Sequence, residues 1–144
     1  PGGNETYCQG SRFFAKNLPI PRPDEAINLD MVGDKQLVLP IERYSLEYHP
    51  QLVRHLWDRA KEMGLDAFIG RVDYAIYDDH IPLNEIAGIP SIDLIDFKYP
   101  NSYANFWHTL NDIPENCSEE SLGQVGDLMV DYIYNREEQN RSEN

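Results

Sequence analysis

Alternation of apolar and polar side chains predicts the first strand of this chain. From Ala26 to Val32 the pattern repeats every two residues and stops at Gly33, which is typical of a half-buried strand. A near-continuous apolar run over 92–97 predicts a second, buried strand, and a short strand is expected within 65–72. Asp30 therefore lies near the carboxyl end of the first strand.

Apolar residues at helical spacing predict three helices. A short helix over 11–17 is stopped by the prolines that follow it, and the clearest helix spans Pro50 to Met63, where Gly64 provides a left-handed cap. The last helix follows Ser118, a good N-cap residue. Its predicted apolar face consists of Leu122, Val125, Met129 and Ile133.

This alternation of strands and helices predicts the α/β class, with a mixed β-sheet flanked by helices on both faces. Ligands of such folds bind beyond the carboxyl ends of the strands, where Asp30 and the Asp78-Asp79 turn are expected. The 144 residues fit one domain, taken as 1–135, followed by a polar disordered tail over 136–144.

Composition excludes several classes of partner. The formal net charge is −13 and Lys and Arg do not cluster, so no nucleic-acid partner is expected. No apolar run approaches the ~20 residues that cross a bilayer, so no membrane insertion is expected either. Cys8 and Cys117 are too few for a disulfide framework, and we interpret them as free thiols, with a single bridge as the alternative.

Five short segments carry a resemblance to a known family. They are Cys8–Ala15, Asn28–Gly33, Asp78–Leu83, Gly88–Pro90 and Trp107–Thr109. In this order they resemble the zinc aminopeptidase family that also includes the glutaminyl-peptide cyclotransferases, peptidase family twenty-eight, over about Tyr7 to Tyr134. The resemblance implies a zinc exopeptidase-like three-layer α/β/α fold, here incomplete, and a peptide substrate with a free N-terminus.

The resemblance also implies roles for individual residues. In the aminopeptidase branch, Asp30 ligates one of two zinc ions and His108 the other. In the cyclotransferase branch, His108 ligates a single zinc ion, while Asp30 and Asp78 join a hydrogen-bonded acidic chain to the catalytic Glu. The resemblance thus makes Asp30 and His108 metal ligands and Asp78 a catalytic residue. Phe106 and Trp107 are expected to line the substrate pocket.

Each of these residues also has a simpler structural interpretation. His108 could cap a loop beside Trp107, and Asp30 could accept hydrogen bonds from loop amides. Asp78 could be an ordinary turn residue, because Asp favours turns by bonding nearby backbone N–H groups. Phe106 and Trp107 could belong to the core, as most aromatic side chains do. The family resemblance favours the functional roles of His108, Asp30 and Asp78, while both interpretations of Phe106 and Trp107 stay open.

The resemblance leaves part of the site outside this sequence. The family's His-x-Asp motif and adjacent Glu-Glu pair precede the matched region, and no such pair occurs upstream of Tyr7. We therefore interpret the chain as the C-terminal portion of the catalytic domain and expect it to be inactive alone. The first hypothesis for the parent protein is a zinc-dependent aminopeptidase. The alternatives are a glutaminyl-peptide cyclotransferase and a non-catalytic domain that kept the fold. Oligomeric state stays open, and only the resemblance favours a secreted or periplasmic location.

Overall fold

The computed structural model describes the backbone of residues 6–142 and the side chains of residues 6–136. The chain divides into two compact units. The first unit contains the described residues up to Asp30, together with Pro40–Arg54 and Gly70–Ile95. The second contains Met31–Leu39, His55–Ile69 and the described residues from Asp96 onward.

Helices and strands are interspersed along the chain. The helices are α1 (Gln9–Lys16), α2 (Arg43–Tyr48), α3 (Pro50–Met63), α4 (His80–Pro82) and α5 (Glu119–Ser142). A π-helical turn, Leu83–Ala87, continues α4, and a 3-10 turn spans Pro114–Asn116. The strands are β1 (Ala26–Asp30), β2 (Leu39–Ile41), β3 (Phe68–Val72), β4 (Ser91–Ile95), β5 (Pro100–Asn101) and β6 (Ala104–Asn105). Over residues 6–142, no helix has both the length and the apolar character that a membrane crossing requires.

Strands β1 and β4 run parallel in the first unit, and their register pairs Asn28 with Asp93. Every residue of β4 is buried, which is typical of a strand covered on both faces, and α2 and α4 pack against it. Strand β1 ends at Asp30, where Met31 adopts a left-handed φ of 54° and turns the chain. The strand predicted to reach Val32 is thus two residues shorter.

Trp57 of α3 organises part of the second unit. Its indole Nε1 donates to the backbone oxygens of Leu39 at 3.3 Å and Ile69 at 3.0 Å. The ring also packs edge-on against Phe68, with 5.6 Å between centroids. Because the polar edge is satisfied while the rest of the indole is buried, Trp57 stabilises this unit through both apolar burial and hydrogen bonding.

The buried face of α5 differs from the predicted one. Val125 is buried as expected, but Leu128 is the fully buried residue of the next turn, whereas Leu122 and Ile133 are 50% and 55% exposed. Apolar residues occur on several sides of this helix, so their spacing alone does not select the side that packs. The position of the stripe was therefore predicted wrongly.

The α/β class is confirmed, with parallel pairing of β1 with β4 and antiparallel pairing of β5 with β6. Strand β2 pairs with β3, and the sequence pattern predicted neither β2 nor α2. Both are too short to show a clear period. The backbone of α5 is helical as far as Ser142. The disordered tail over 136–144 stays a prediction, and its last two residues lie outside the described part.

Candidate functional site

Five polar side chains of the first unit form a cluster that we call the buried polar network: Asn28, Glu42, Asp78, His80 and Asp93. Asn28 lies in the middle of β1, opposite Asp93 on β4. Its side-chain Nδ2 donates to Oδ1 of Asp93 at 3.0 Å and to Oδ2 of Asp78 at 3.3 Å. One amide group therefore links the half-buried Asp78, in the turn before α4, to a carboxyl group in the interior.

Glu42 is the N-cap residue of α2, and its side chain is fully buried. Its carboxylate accepts hydrogen bonds from the backbone amides of Tyr44 at 3.0 Å, Ser45 at 2.6 Å and Ile76 at 3.0 Å. Burial alone would raise the pKa of Glu42, but His80 and these amides stabilise the charged form, and the pKa lies below its ordinary value. Glu42 is thus a buried carboxylate with its charge compensated.

The ring of His80 lies between two buried carboxyl groups. Its Nε2 is 3.4 Å from Oε2 of Glu42, and its Nδ1 is 3.8 Å from Oδ2 of Asp93. Among the described residues, neither ring nitrogen makes a hydrogen bond of normal geometry. Burial, and next the negative charge of Asp78, raise the pKa of Asp93 well above its ordinary value. Asp93 therefore holds its proton to higher pH than an exposed aspartic acid.

Two further acidic positions and one thiol lie near this network. Asp30 is half-buried at the end of β1, and its charge also contributes to the raised pKa of Asp93. The ligand atoms of Cys8, Asp78 and Asp79 lie within 4.8 Å of one another. Burial and the two neighbouring carboxylates raise the pKa of Cys8 to about 12. Because metals bind thiolate, we assign no ion to this group.

In the second unit, His108 lies in a segment that we call the histidine loop, residues 97–117. Aromatic rings hold the loop together: Tyr99 meets Phe106 edge-on at 5.6 Å, and Phe97 meets Trp107 at the same distance. The ring of His108 stacks on Trp107 with 4.1 Å between centroids and 21° between planes. Phe106 and Trp107 are half-buried, so they support the loop and also keep some exposed surface.

The backbone around His108 is tightly specified. Thr109 donates to the backbone oxygen of Phe106 twice, from its amide at 3.0 Å and from Oγ1 at 2.8 Å, and Trp107 N donates to Asn105 Oδ1 at 2.8 Å. His108 itself has a φ of 57°, a left-handed conformation that is uncommon outside glycine. The loop therefore presents an exposed imidazole on a strained backbone, which is typical of a functional position.

Comparison with known proteins identifies the family. The sequence model of Peptidase family M28 matches residues 2–133. The chain belongs to Peptidase family M28. Among curated proteins, the comparison found no similar sequence.

Solved structures of similar proteins agree with membership of family M28. A glutaminyl cyclase from Porphyromonas gingivalis is 32% identical with a TM-score of 0.86, and the alignment covers 94% of this chain and 51% of that chain. A leucine aminopeptidase precursor from Bacteroides thetaiotaomicron is also 32% identical, with a TM-score of 0.86 and coverage of 94% and 46%. A Zn-dependent exopeptidase from Parabacteroides distasonis is 34% identical, with a TM-score of 0.85 and coverage of 94% and 48%. The chain spans about half the length of these three structures.

The M28 resemblance and its fold are thereby confirmed, while the roles of individual residues stay predictions. Asp78 joins the buried polar network, and Asp30 lies at the end of β1 in the same unit. Phe106, Trp107 and His108 come together in the histidine loop of the other unit. Both cysteines are free thiols, as predicted.

Sequence reasoning missed Glu42 and Asp93. For Asp93 a signal was present, because an acidic residue in the middle of an apolar strand such as 91–95 needs a partner in the interior. Glu42 gave no such signal, since it lies between a short strand and a short helix in a polar stretch. Glu42 and Asp93 are therefore the first positions to mutate among the residues that the sequence did not point to.

Proposed function

We propose that the protein is a zinc-dependent glutaminyl-peptide cyclotransferase, an enzyme that closes the N-terminal glutamine of a peptide into a ring. The observation that supports this is the engagement of Asp78 in a hydrogen-bonded acidic network through Asn28 and Asp93. The family resemblance gives Asp78 such a role in the cyclotransferase branch. The similarity to the Porphyromonas gingivalis glutaminyl cyclase adds support.

The chemistry of the donor side chains fits zinc. His108 offers an exposed imidazole, which the resemblance makes the zinc ligand in the cyclotransferase branch, whereas the half-buried carboxylate of Asp30 ligates zinc only in the aminopeptidase branch. Imidazole and carboxylate are the ligands that catalytic zinc takes in proteins. The Parabacteroides distasonis relative is named a Zn-dependent exopeptidase, which agrees with this choice of metal. When bound, zinc would polarise the carbonyl group under attack.

The reaction requires one proton to move. The α-amino nitrogen of the substrate forms a bond to the γ-carbonyl carbon of its own glutamine side chain, and the bond to the amide nitrogen breaks. The amine loses one proton, the leaving nitrogen gains one, and ammonia departs. A carboxyl group that exchanges protons can serve both steps. Asp78 is a half-buried carboxyl group of the network, and Asp93 behind it keeps its proton to higher pH than an exposed aspartic acid.

An aminopeptidase is the second candidate, and the family name and two of the similar structures favour it. In that reaction a water molecule attacks the carbonyl carbon of the first peptide bond, and the bond to the next residue's nitrogen breaks. Asp30 and His108 would then each ligate one of two ions. The two reactions differ in their products, because one releases ammonia and the other releases a free amino acid.

The test is an assay of two peptides that differ only at the N-terminus, one beginning with glutamine and one with leucine. The protein is assayed as this chain and as the longest natural form that contains it, with zinc added. We expect the glutamine peptide to lose ammonia without cleavage, as mass spectrometry would record. Release of free leucine from the second peptide would instead establish the aminopeptidase. If every form leaves both peptides unchanged, the enzymatic proposal fails.

A pair of variants tests the role of Asp78. We expect Asp78→Asn to lower the rate of ammonia release by roughly 10²–10⁴-fold, as loss of a general acid or base does. Asp24→Asn provides the matched control, because Asp24 is an exposed aspartate of the same unit that takes no part in the network. A rate for Asp78→Asn equal to that of the control would remove Asp78 from the mechanism.

A further inference from the structure

His80 and Glu42 have no part in the proposed reaction, yet both side chains are fully buried. An ionisable side chain in the interior is costly unless its surroundings compensate it. Glu42 has three backbone amides as partners, but within the described part of the chain the ring of His80 has only the two carboxyl groups beside it within ion-pair distance. A histidine kept at such a position needs an explanation beyond packing.

The contacts of His80 lead stepwise to the proposed catalytic residue. The ring nitrogens face Glu42 on one side and Asp93 on the other. Asp93 accepts from Asn28, and the same amide group donates to Asp78. Ser45 links Glu42 to Asp93, because its Oγ donates to Glu42 at 2.8 Å and accepts from the backbone amide of Asp93 at 2.8 Å.

We infer that His80 is a positioning residue that holds the carboxyl group of Asp93 and, through Asn28, fixes the orientation of the Asp78 carboxylate. The inference rests on the proposed function for the role of Asp78. The chain of contacts from His80 through Asp93 and Asn28 to Asp78, which we call the relay, is testable without substrate or metal. Glu42 anchors the ring from its other side, because the three backbone amides hold Glu42 in place.

The backbone register alone does not fix the orientation of the Asn28 side-chain amide. The register of β1 and β4 brings Asn28 opposite Asp93, but a side-chain amide bonded to two carboxyl groups has a defined orientation only if both acceptors are themselves held. The backbone of β4 fixes the Cα atom of Asp93, not the rotamer of its side chain. The second carboxyl oxygen of Asp93, Oδ2, lies 3.8 Å from Nδ1 of His80 and makes no hydrogen bond within the described residues, so the ring is the group placed to restrain this side chain.

The side-chain amide of Asn28 reports directly on this relay. Two NMR signals come from its NH₂ group, and their exchange with water is slow while both protons are engaged with acceptors. We expect His80→Leu, which keeps apolar volume but removes both ring nitrogens, to raise this exchange rate at least about tenfold while the fold is retained. The control is His49→Leu, because His49 lies in the same unit and its Nε2 also lies 3.4 Å from a carboxylate, that of Glu25.

Asn28 signals that are unchanged in a folded His80→Leu protein would overturn the inference. If that variant does not fold, His80→Met replaces it, because this flexible apolar side chain also lacks both ring nitrogens. We again expect the exchange rate to rise at least about tenfold, and an unchanged rate overturns the inference.

The kinetic readout separates positioning from structure. In an active preparation, His80→Leu should lower kcat by roughly 10–10²-fold with KM changed less than about twofold, because the substrate contacts stay in place. A protein that shows the predicted Asn28 exchange but neither product would defeat the proposed function and leave the relay standing. If the protein is active but neither kcat nor the Asn28 signals change in His80→Leu, the relay is refuted and the proposed function stands.

Discussion

Glu42 and His80 lie together in the interior of the first unit, with Nε2 of the imidazole 3.4 Å from Oε2 of the carboxylate and no exposed surface on either side chain. The carboxylate is held by backbone amides from two separate segments, the start of α2 and Ile76. Glu42 therefore joins α2, which the sequence pattern did not predict, to the segment that precedes Asp78.

Substitution of Glu42 should destabilise the protein strongly. Glu42→Ala leaves the backbone amides of Tyr44, Ser45 and Ile76 without their acceptor, and we expect the free energy of unfolding to fall by about 2–4 kcal/mol. Urea denaturation measures the change. Glu47→Ala, at an exposed position of the same helix, should stay within about 0.5 kcal/mol of the wild type. Equal effects of the two substitutions would contradict the role of Glu42.

The pH dependence of stability should reveal the buried proton of Asp93. Its pKa is raised in the folded protein, whereas in the unfolded chain it is about 3.9. The folded state then binds more protons than the unfolded state above that pH, so the contribution of Asp93 to stability falls as the pH rises. Relative to wild type, Asp93→Asn should become progressively more stable as the pH is raised from about 4 towards neutrality.

Asp131 provides a control of opposite sign. The hydrogen bonds that Arg59 donates to it, at 2.8 and 2.7 Å, hold its pKa below the ordinary value. Its contribution to stability is present above the unfolded pKa and is lost as the pH falls. Asp131→Asn should therefore become less stable than wild type as the pH rises. Urea unfolding of Asp131→Asn below about pH 5 and of Asp93→Asn above about pH 4 checks the two slopes, because the two linkages lie on opposite sides of the unfolded pKa of about 3.9. Slopes of the same sign would refute the assignment of Asp93.

Zinc binding should change the fluorescence of Trp107. Its indole stacks on His108 at 4.1 Å, so an ion that binds the imidazole alters the environment of the ring. The sequence contains two tryptophans, and the other, Trp57, is buried and hydrogen-bonded to backbone oxygens. We expect titration with zinc to change the emission of the wild type, and Trp107→Phe to abolish the change.

The same titration tests His108 as a ligand. His108→Asn should raise the apparent dissociation constant for zinc at least about tenfold, while His55→Asn, at an exposed position of the same unit, should leave it unchanged. Asn tolerates the left-handed backbone of this position better than Ala does, so loss of the ligand is not confused with loss of the loop. Unaltered affinity in His108→Asn would remove it from the metal site.

Two glycines should respond to alanine in opposite directions. Gly64 ends α3 with a φ of 73°, so Gly64→Ala should lower the free energy of unfolding by about 1 kcal/mol. Gly126 is an exposed residue within α5 with open space around it, and Gly126→Ala should raise the free energy of unfolding by about 0.5–1 kcal/mol. Thermal or urea denaturation distinguishes the two signs, and destabilisation by both would contradict the helix assignment at Gly126.

Much of the fold was predictable where hydrophobic periodicity was strong. The bounds of α3, the left-handed Gly64 and the position of Asp30 at a strand end all follow from local pattern, because each is decided by residues close in sequence. The buried side of α5 was not predictable, because Leu122 and Leu128 are equally apolar and only tertiary packing distinguishes them.

The same distinction between local pattern and tertiary packing applies to the candidate site. The family motif brought Asp78 and His108 to attention, but the relay behind Asp78 joins residues that are distant in sequence, such as Asn28, Asp93 and His80. Pairings of this kind depend on strand register and on the packing of α2 and α4 against β4. No local pattern encodes them, although the acidic residue within β4 indicated that one had to exist.

The left-handed backbone of His108 restricts what evolution can do at this position. With His108 as the proposed zinc ligand, imidazole chemistry and backbone shape are two separate requirements, and loss of catalysis removes only the first. Descendants that kept the loop but not the reaction should therefore accumulate Asn or Gly here and avoid Val, Ile and Thr, whose branched side chains oppose a φ of 57°. The residue type at position 108 would then indicate whether a related protein has kept its activity.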